Sequence, residues 1–273
     1  MYFGAWNFYT FHKPVTLFIS SNYLLNDVVL RCSMDSLTKD AFFNGRIQVK
    51  QHRSGYRFSI DAVLIAGHAK PRPEDKVLDL GTGCGIIPMI LAYRYPAIKV
   101  YGIEVQPQLA ELAALNVEEN NMGDQISILC MDMKTLQSDT ISGPVDLVIS
   151  NPPFRKAESG RINPNRQRAI ARHEIKATLF DVVETARRML PLAGRFITVY
   201  PAERITDILS QMRSAAIEPK FMRTIHSNTK TEAKLILVAG SKGGRPGVKI
   251  GPPLIIYKED GSYTEEVQKM FQP

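Results

Sequence analysis

The sequence predicts an α/β fold: an open, mostly parallel sheet of seven strands, with helices on both faces and a C-terminal antiparallel hairpin. Three observations predict it. Short apolar runs alternate with helical stretches from Lys76 onward, a glycine-rich turn follows the first of those runs, and the last two β runs have no helix between them. Alternation of this kind sets strands side by side through right-handed crossovers, whereas two runs joined directly turn the last strand antiparallel.

Each element has its own signal. Ile47 and Val49 alternate with polar residues over 46–51, as in a half-buried strand, and Ser54-Gly55 reads as its turn. Val63, Leu64 and Ala66 give 60–69 a helical reading, which Pro71 and Pro73 end. Residues 76–80 form a short buried strand, and 86–94 a helix stopped by Pro96. A strand at 99–103 precedes a helix at 107–120, with Pro107 in its first turn and Leu109, Leu112, Ala113 and Val117 near one face. Strands at 125–131 and 145–150 follow, then an amphipathic helix at 178–190, a strand at 195–200 and a helix at 204–215. The paired β runs are 220–225 and 234–239.

This divides the chain into an extension at 1–33, a lead-in hairpin and helix at 34–75, the α/β domain at 76–240 and a basic tail at 241–273. The extension is rich in aromatics without a period and is expected to lie outside the fold, Met34 opening a more ordinary amino terminus. Within the tail, 240–251 is glycine- and lysine-rich and reads as a mobile loop. With 44% apolar and 22% charged side chains over 273 residues, the chain has the material for a sizeable core and not the composition of a disordered one. Cys32, Cys84 and Cys130 are odd in number and scattered, which excludes a disulfide scaffold and a CxxC metal site and fits a reducing cytoplasm. No run reaches the roughly 20 apolar residues of a membrane span. A net charge of +7 points to a polyanionic partner.

In an open α/β sheet the ligand sits beyond the carboxyl ends of the strands. The first such end reads Asp79-Leu80-Gly81-Thr82-Gly83-Cys84-Gly85, in which alternate glycines let the backbone turn tightly against a ligand. A dinucleotide fingerprint needs a further glycine where Ile86 stands, and a P-loop needs Gly-Lys-Ser/Thr; both are absent. Asp79 would repel a pyrophosphate and suits a cationic, phosphate-free cofactor, of which S-adenosylmethionine is one. At the second strand end, Glu104-Val105 offers a carboxylate to a ribose diol. At the third, Asp132-Met133 offers an acceptor to an adenine amino group beside apolar side chains. Cys84 reads as a small filler and not as a nucleophile.

After the fourth strand stand Asn151, Pro152, Pro153 and Phe154. The prolines remove two backbone donors and stiffen the loop. The Asn151 side-chain oxygen and the Pro152 carbonyl can accept both N–H bonds of a planar NH2 group and aim its lone pair, while Phe154 stacks the ring, worth roughly 1–3 kcal/mol.

Asp79–Gly85 with Asn151–Phe154 resembles the class I, small-domain methyltransferases that modify exocyclic or amide nitrogens. Within them, Gly55-Tyr56-Arg57-Phe58-Ser59-Ile60-Asp61-Ala62-Val63-Leu64, Asn163-Pro164-Asn165 and Ala171-Arg172-His173-Glu174 are similar to the tRNA(Val) adenine N6-methyltransferases. The resemblance covers about 45–239 and implies a Rossmann-like fold, S-adenosylmethionine as cofactor and tRNA as substrate. It also implies that Phe58 and Asp61 help close the cofactor pocket. Phe154 stands where many amino-methyltransferases carry Tyr, which keeps stacking and removes a hydroxyl. Guanine N2 methylation of ribosomal RNA, glutamine methylation of a translation release factor and a non-catalytic RNA-binding module are the competing readings.

Past the catalytic loop, Arg155, Lys156, Arg161, Arg166, Arg168, Arg172 and Lys176 face only Glu158 and Glu174. A second basic run holds Lys220, Arg223, Lys230, Lys234, Lys242, Arg245, Lys249 and Lys258 against Glu232. Both are expected to track phosphates beside a pocket for one extruded base. Arg155, Lys156, Arg172 and His173 are the candidate substrate contacts. No His has ligand-like spacing to acidic or Cys partners, so no metal is assigned.

Overall fold

A computed structural model describes residues 18–19, 37–53, 59–152 and 177–272. Its centre is a ten-stranded sheet. Seven strands carry it: β4 (Lys76–Leu80), β5 (Lys99–Glu104), β6 (Ile126–Cys130), β7 (Leu147–Ser150), β8 (Arg195–Pro201), β9 (Ile217–His226) and β10 (Ala233–Lys242). Three two-residue strands extend its edges: β1 (Phe18–Ile19), β11 (Lys249–Ile250) and β12 (Leu254–Ile255). The order is β1-β6-β5-β4-β7-β8-β10-β9-β11, with β12 also on β9. All neighbours among β4 to β8 are parallel, and β10 runs antiparallel between β8 and β9. The expected α/β sheet and its C-terminal hairpin are therefore present.

Helices cover both faces, as parallel strands require. One core gathers α1 (Ile60–His68), α2 (Ile86–Arg94) and α3 (Pro107–Glu119); the other gathers α4 (Leu179–Met189) and α5 (Ile205–Ser214). β4 feeds both, sending Val77 to the first and Leu78 and Leu80 to the second. Seven of the nine residues of α2 are buried, and its Pro88 is harmless because first-turn N–H groups have no intrahelical acceptor. Thr178 and Asp181 form a reciprocal capping box that fixes the start of α4.

Three expectations are corrected. The lead-in strand gains a partner ahead of it: β2 (Leu37–Phe42) pairs with β3 (Ile47–His52) across Asn44-Gly45, where φ is +56° and +85°, while the Ser54-Gly55 turn lies outside the described residues. That dipeptide is the stronger hairpin signal. The sheet hairpin is longer than 220–225 and 234–239, because β9 accommodates Pro219 opposite Gly240 at a register shift, one of the few sheet positions open to proline. Finally, the segment after 240 is folded. β10 runs through Lys242, and Val267 and Met270 of α6 (Glu265–Met270) are buried in the same core as α1. A Cβ at Gly67 would meet Met270 Cγ at 2.9 Å, so α6 sits directly on α1.

Of the extension, β1 pairs parallel to Leu129 and Cys130; the reading of 1–17 and 20–33, with Cys32, lies outside the described residues. Among the described residues no helix is long and apolar enough to cross a membrane, and no group of three His, Cys, Asp or Glu side chains could hold a metal ion.

Candidate active site

Sheet register brings the strand ends into rows. Leu129, Ile103, Leu80 and Ser150 lie side by side, so the row beyond them is Cys130, Glu104, Gly81 and Asn151. Residues more than 20 apart in sequence thereby share one rim.

Asp79 sits one pleat below, at zero exposure, between Gly102 and Ile149. Neither of its oxygens, nor Thr82 Oγ1, has a hydrogen-bond partner among the described residues. Burial pushes the Asp79 carboxyl up to about 7; the nearby Thr82 hydroxyl opposes this without reaching hydrogen-bond geometry, and Glu104 adds a little to the rise. Gly102 makes room for Thr82, since a Cβ there would lie 2.9 Å from Thr82 Oγ1.

The turn above Asp79 is held by the end of β5. Gly81 and Thr82 donate to the Ile103 carbonyl at 2.9 and 3.0 Å, and Gly83 donates to Glu104 Oε2 at 3.0 Å. Gly81, Gly83 and Gly85 have φ of +78°, +58° and +84°, a region that L side chains avoid. A Cβ at Gly81 would meet nothing within 4 Å, which leaves its backbone open to a ligand. Glu104 is 5% exposed, and burial raises its carboxyl against the backbone donors that lower it. Its other oxygen accepts from Gln106 N at 3.0 Å, so a ribose diol would use the remaining lone pairs. Val105 lies half-buried beside it.

Asp132 is more occupied than expected. Its Oδ1 accepts from Lys134 N at 3.0 Å and Oδ2 pairs with Lys134 Nζ at 3.3 Å, because it caps the 3-10 turn Met133–Thr135. The Met133 carbonyl is held by Thr185 and Arg188 of α4. Asp61, in the first turn of α1, accepts from Ser59 Oγ at 2.7 Å, and burial raises its carboxyl.

Asn151 follows β7 with its Oδ1 buried and without a partner among the described residues, and Pro152 is half-buried beside it. Pro153, Phe154, Arg155, Lys156, Arg172, His173 and the lead-in Phe58 lie outside the described residues. Cys84 is 3% exposed and burial pushes its thiol up to about 12, the state of a packed filler and not of a nucleophile.

The second basic run is partly structural. Arg223 is buried against Glu266, Lys242 Nζ donates to the Arg187 and Leu190 carbonyls, Lys220 Nζ donates to the Arg245 carbonyl, and Lys230 pairs with Glu259 at 2.8 Å. Lys234, Arg245, Lys249 and Lys258 remain exposed. Sequence reading passed over Ser150 and Asn116, both fully buried polar residues that bond across elements. Asn116 had a signal, a polar residue at the spacing of Leu109, Leu112 and Ala113.

Two unpartnered carboxylate oxygens under an open glycine turn fit a cationic cofactor, and this rim on this sheet defines an S-adenosylmethionine-dependent methyltransferase. Residues 56–221 match the methyltransferase small domain, and the chain belongs to that family. The tRNA1(Val) (adenine(37)-N6)-methyltransferase of Porphyromonas gingivalis is 30% identical over 243 residues, covering 86% of this chain and 94% of that protein. A protein of the same name from Pedobacter heparinus is 26% identical, over 83% of this chain and 94% of its own length. Among solved structures, a predicted O-methyltransferase from Agrobacterium tumefaciens is similar in fold, with a TM-score of 0.63 and 21% identity over 77% of this chain and 94% of that one. The type I restriction-modification methyltransferase subunit from Streptococcus thermophilus is similar at a TM-score of 0.56 and 16% identity, over 79% of this chain and 52% of its own.

Proposed function

We propose that this methyltransferase modifies N6 of an adenine in tRNA, the base and RNA class named for its relatives. The observation that carries the reading is Asn151: a buried amide oxygen, unpartnered among the described residues, one row beyond Ser150 and beside Gly81. An exocyclic NH2 group supplies the donor this oxygen lacks.

Asn151 Oδ1 and the Pro152 carbonyl accept the two N–H bonds, and Pro153 and Phe154 stiffen the loop and stack the ring. This draws the nitrogen out of conjugation and fixes its direction, and orientation of this kind is worth up to about 7–11 kcal/mol. S-adenosylmethionine, when bound, supplies an electrophilic methyl group on its sulfonium. Asp79 would hold its amino group, Gly81, Thr82, Gly83 and Gly85 its amino-acid end, Glu104 and Val105 its ribose, and Asp132 and Met133 its adenine. Phe58 and Asp61 close that side. Arg155, Lys156, Arg172 and His173, with the exposed Lys234, Arg245, Lys249 and Lys258, follow the RNA backbone.

Nucleoside mass spectrometry on tRNA from a strain lacking the gene tests this. N6-methyladenosine is expected to vanish, to return with the wild-type chain and to stay absent with Asn151→Ala. Loss of N2-methylguanosine in its place, or unchanged RNA, would overturn the assignment.

A further inference from the structure

Asn116 is fully buried on the inner face of α3 and bonds two separate parts of the molecule. Its Nδ2 donates to the Cys84 carbonyl in the glycine turn and to the Lys50 carbonyl in β3, both at 2.9 Å. Its Oδ1 accepts from Lys50 N at 2.8 Å. One helical turn later, Asn120 repeats the pairing on Gln48: Nδ2 donates to its carbonyl at 2.8 Å and Oδ1 accepts from its N–H at 2.9 Å, while Nδ2 also donates to the Asn116 carbonyl at 2.7 Å within the helix. The two amides thus serve alternate residues of the β3 edge, as a neighbouring strand would, but of the two it is Asn116 that reaches the glycine turn. One turn before it, Ala113 Cβ stands 3.3 Å from where a Cβ at Gly85 would lie, so helix and turn meet without side chains between them.

We infer that Asn116 is a positioning residue for the cofactor: it pins the glycine turn to α3 and ties the turn's geometry to the β2–β3 hairpin. Beyond the Gly81 and Thr82 bonds to the Ile103 carbonyl, the tip of the turn is held by Glu104 on Gly83 N from β5 and by Asn116 on the Cys84 carbonyl from α3. Releasing the second leaves a buried carbonyl unpaired beside three glycines, the residues least able to hold a shape alone. This rests on the reading of the glycine turn as the donor site.

Calorimetry with S-adenosylhomocysteine on the full chain, well below each variant's melting temperature, separates the possibilities. Asn116→Ala is expected to bind about tenfold more weakly, and Asn120→Ala within about twofold of wild type, although both lower the Tm. Iodoacetamide labelling mapped to the Cys84 peptide adds a local readout: the buried thiol is expected to react faster in Asn116→Ala and to stay protected in Asn120→Ala. Should Asn116→Ala fail to fold, the near-isosteric Asn116→Asp, which loses both donations, carries the same expectations. Wild-type affinity and a protected Cys84 in a folded Asn116 variant would reduce the residue to a structural tie and overturn the inference. A wild-type chain that ignores S-adenosylhomocysteine would instead overturn the donor-site reading beneath it.

Discussion

Ser150 Oγ donates to the Leu80 carbonyl at 2.9 Å, joining the ends of β7 and β4 directly beneath Asn151 and the glycine turn. Ser150 is fully buried, so the bond is shielded from water, and it fixes how far Asn151 stands from Gly81. Ser150→Ala removes a bond worth about 1 kcal/mol and loosens alignment more than it loosens either loop. The expected result is a kcat lower by about three- to tenfold with cofactor affinity within about twofold. Steady-state kinetics on a tRNA transcript and calorimetry check it; a weakened cofactor with unchanged kcat would refute the alignment role.

Asn151 makes a sharper case. On the proposed reading its oxygen accepts from the amine, so Asn151→Ala is expected to lower kcat by about 10²- to 10³-fold, as for loss of a single preorganised polar group at a reacting centre. Binding of S-adenosylhomocysteine should stay at the wild-type level, because the proposed role of Asn151 is toward the base and not the cofactor. Asn151→Asp keeps an acceptor oxygen and should retain more activity than the alanine variant.

Asp79 gives the site a pH dependence. Its carboxyl, at about 7 in the folded chain against 3.8 ordinarily, keeps a proton between roughly pH 4 and 7 that the unfolded chain has released. The stabilisation from this group is fully present below 3.8 and is lost as pH rises through 7. Asp79→Asn is therefore expected to flatten this slope and raise the Tm of the cofactor-free protein at pH 8. A cationic ligand reverses the preference, since it needs the anion. Its affinity should rise from pH 6 to about pH 8 with release of a proton, seen by calorimetry in buffers of different ionisation enthalpy. Asp79→Asn should bind weakly and without that pH dependence.

Most of this rim was legible before any coordinates. Asp79, Glu104 and Asn151 each end a short apolar run, and a parallel sheet aligns such ends whatever the loops between them do. The lead-in hairpin was harder, because Ser54-Gly55 competed with Asn44-Gly45 for the turn. The C-terminal segment was least legible. Leu254, Ile256, Val267 and Met270 are too widely spaced to show a period, and they are buried only because β9, about 30 residues back, pairs beside them and α1, about 200 residues back, packs against them. Charge counting failed at Arg223 for the same reason: its partner Glu266 is 43 residues away.

Arg223 is the centre of a clamp that holds this segment down. Its guanidinium makes a bidentate pair with Glu266 of α6 at 2.5 and 2.8 Å, donates to the Pro252 and Pro253 carbonyls, and lies 3.0 Å from His68 Nε2. His68 Nδ1 lies 2.8 Å from the Leu64 carbonyl, to which it must donate if Nε2 accepts from Arg223, so the ring is neutral. Burial, chiefly, lowers its pKa from 6.5, while Arg223 lowers that of Glu266 from 4.5. Both groups bind fewer protons folded than unfolded, so both contribute stability that is lost as pH falls, His68 below 6.5 and Glu266 below 4.5. Acid should therefore weaken the clamp in two stages. Because Glu266 is half exposed, Glu266→Ala is expected to cost about 1–3 kcal/mol and not the full price of a buried pair. The loss should appear as a lower Tm at pH 7, with a gap to wild type that narrows progressively as pH falls below 4.5, followed by differential scanning calorimetry. A constant gap at every pH would mean that packing of α6, and not this ion pair, holds the C-terminal segment.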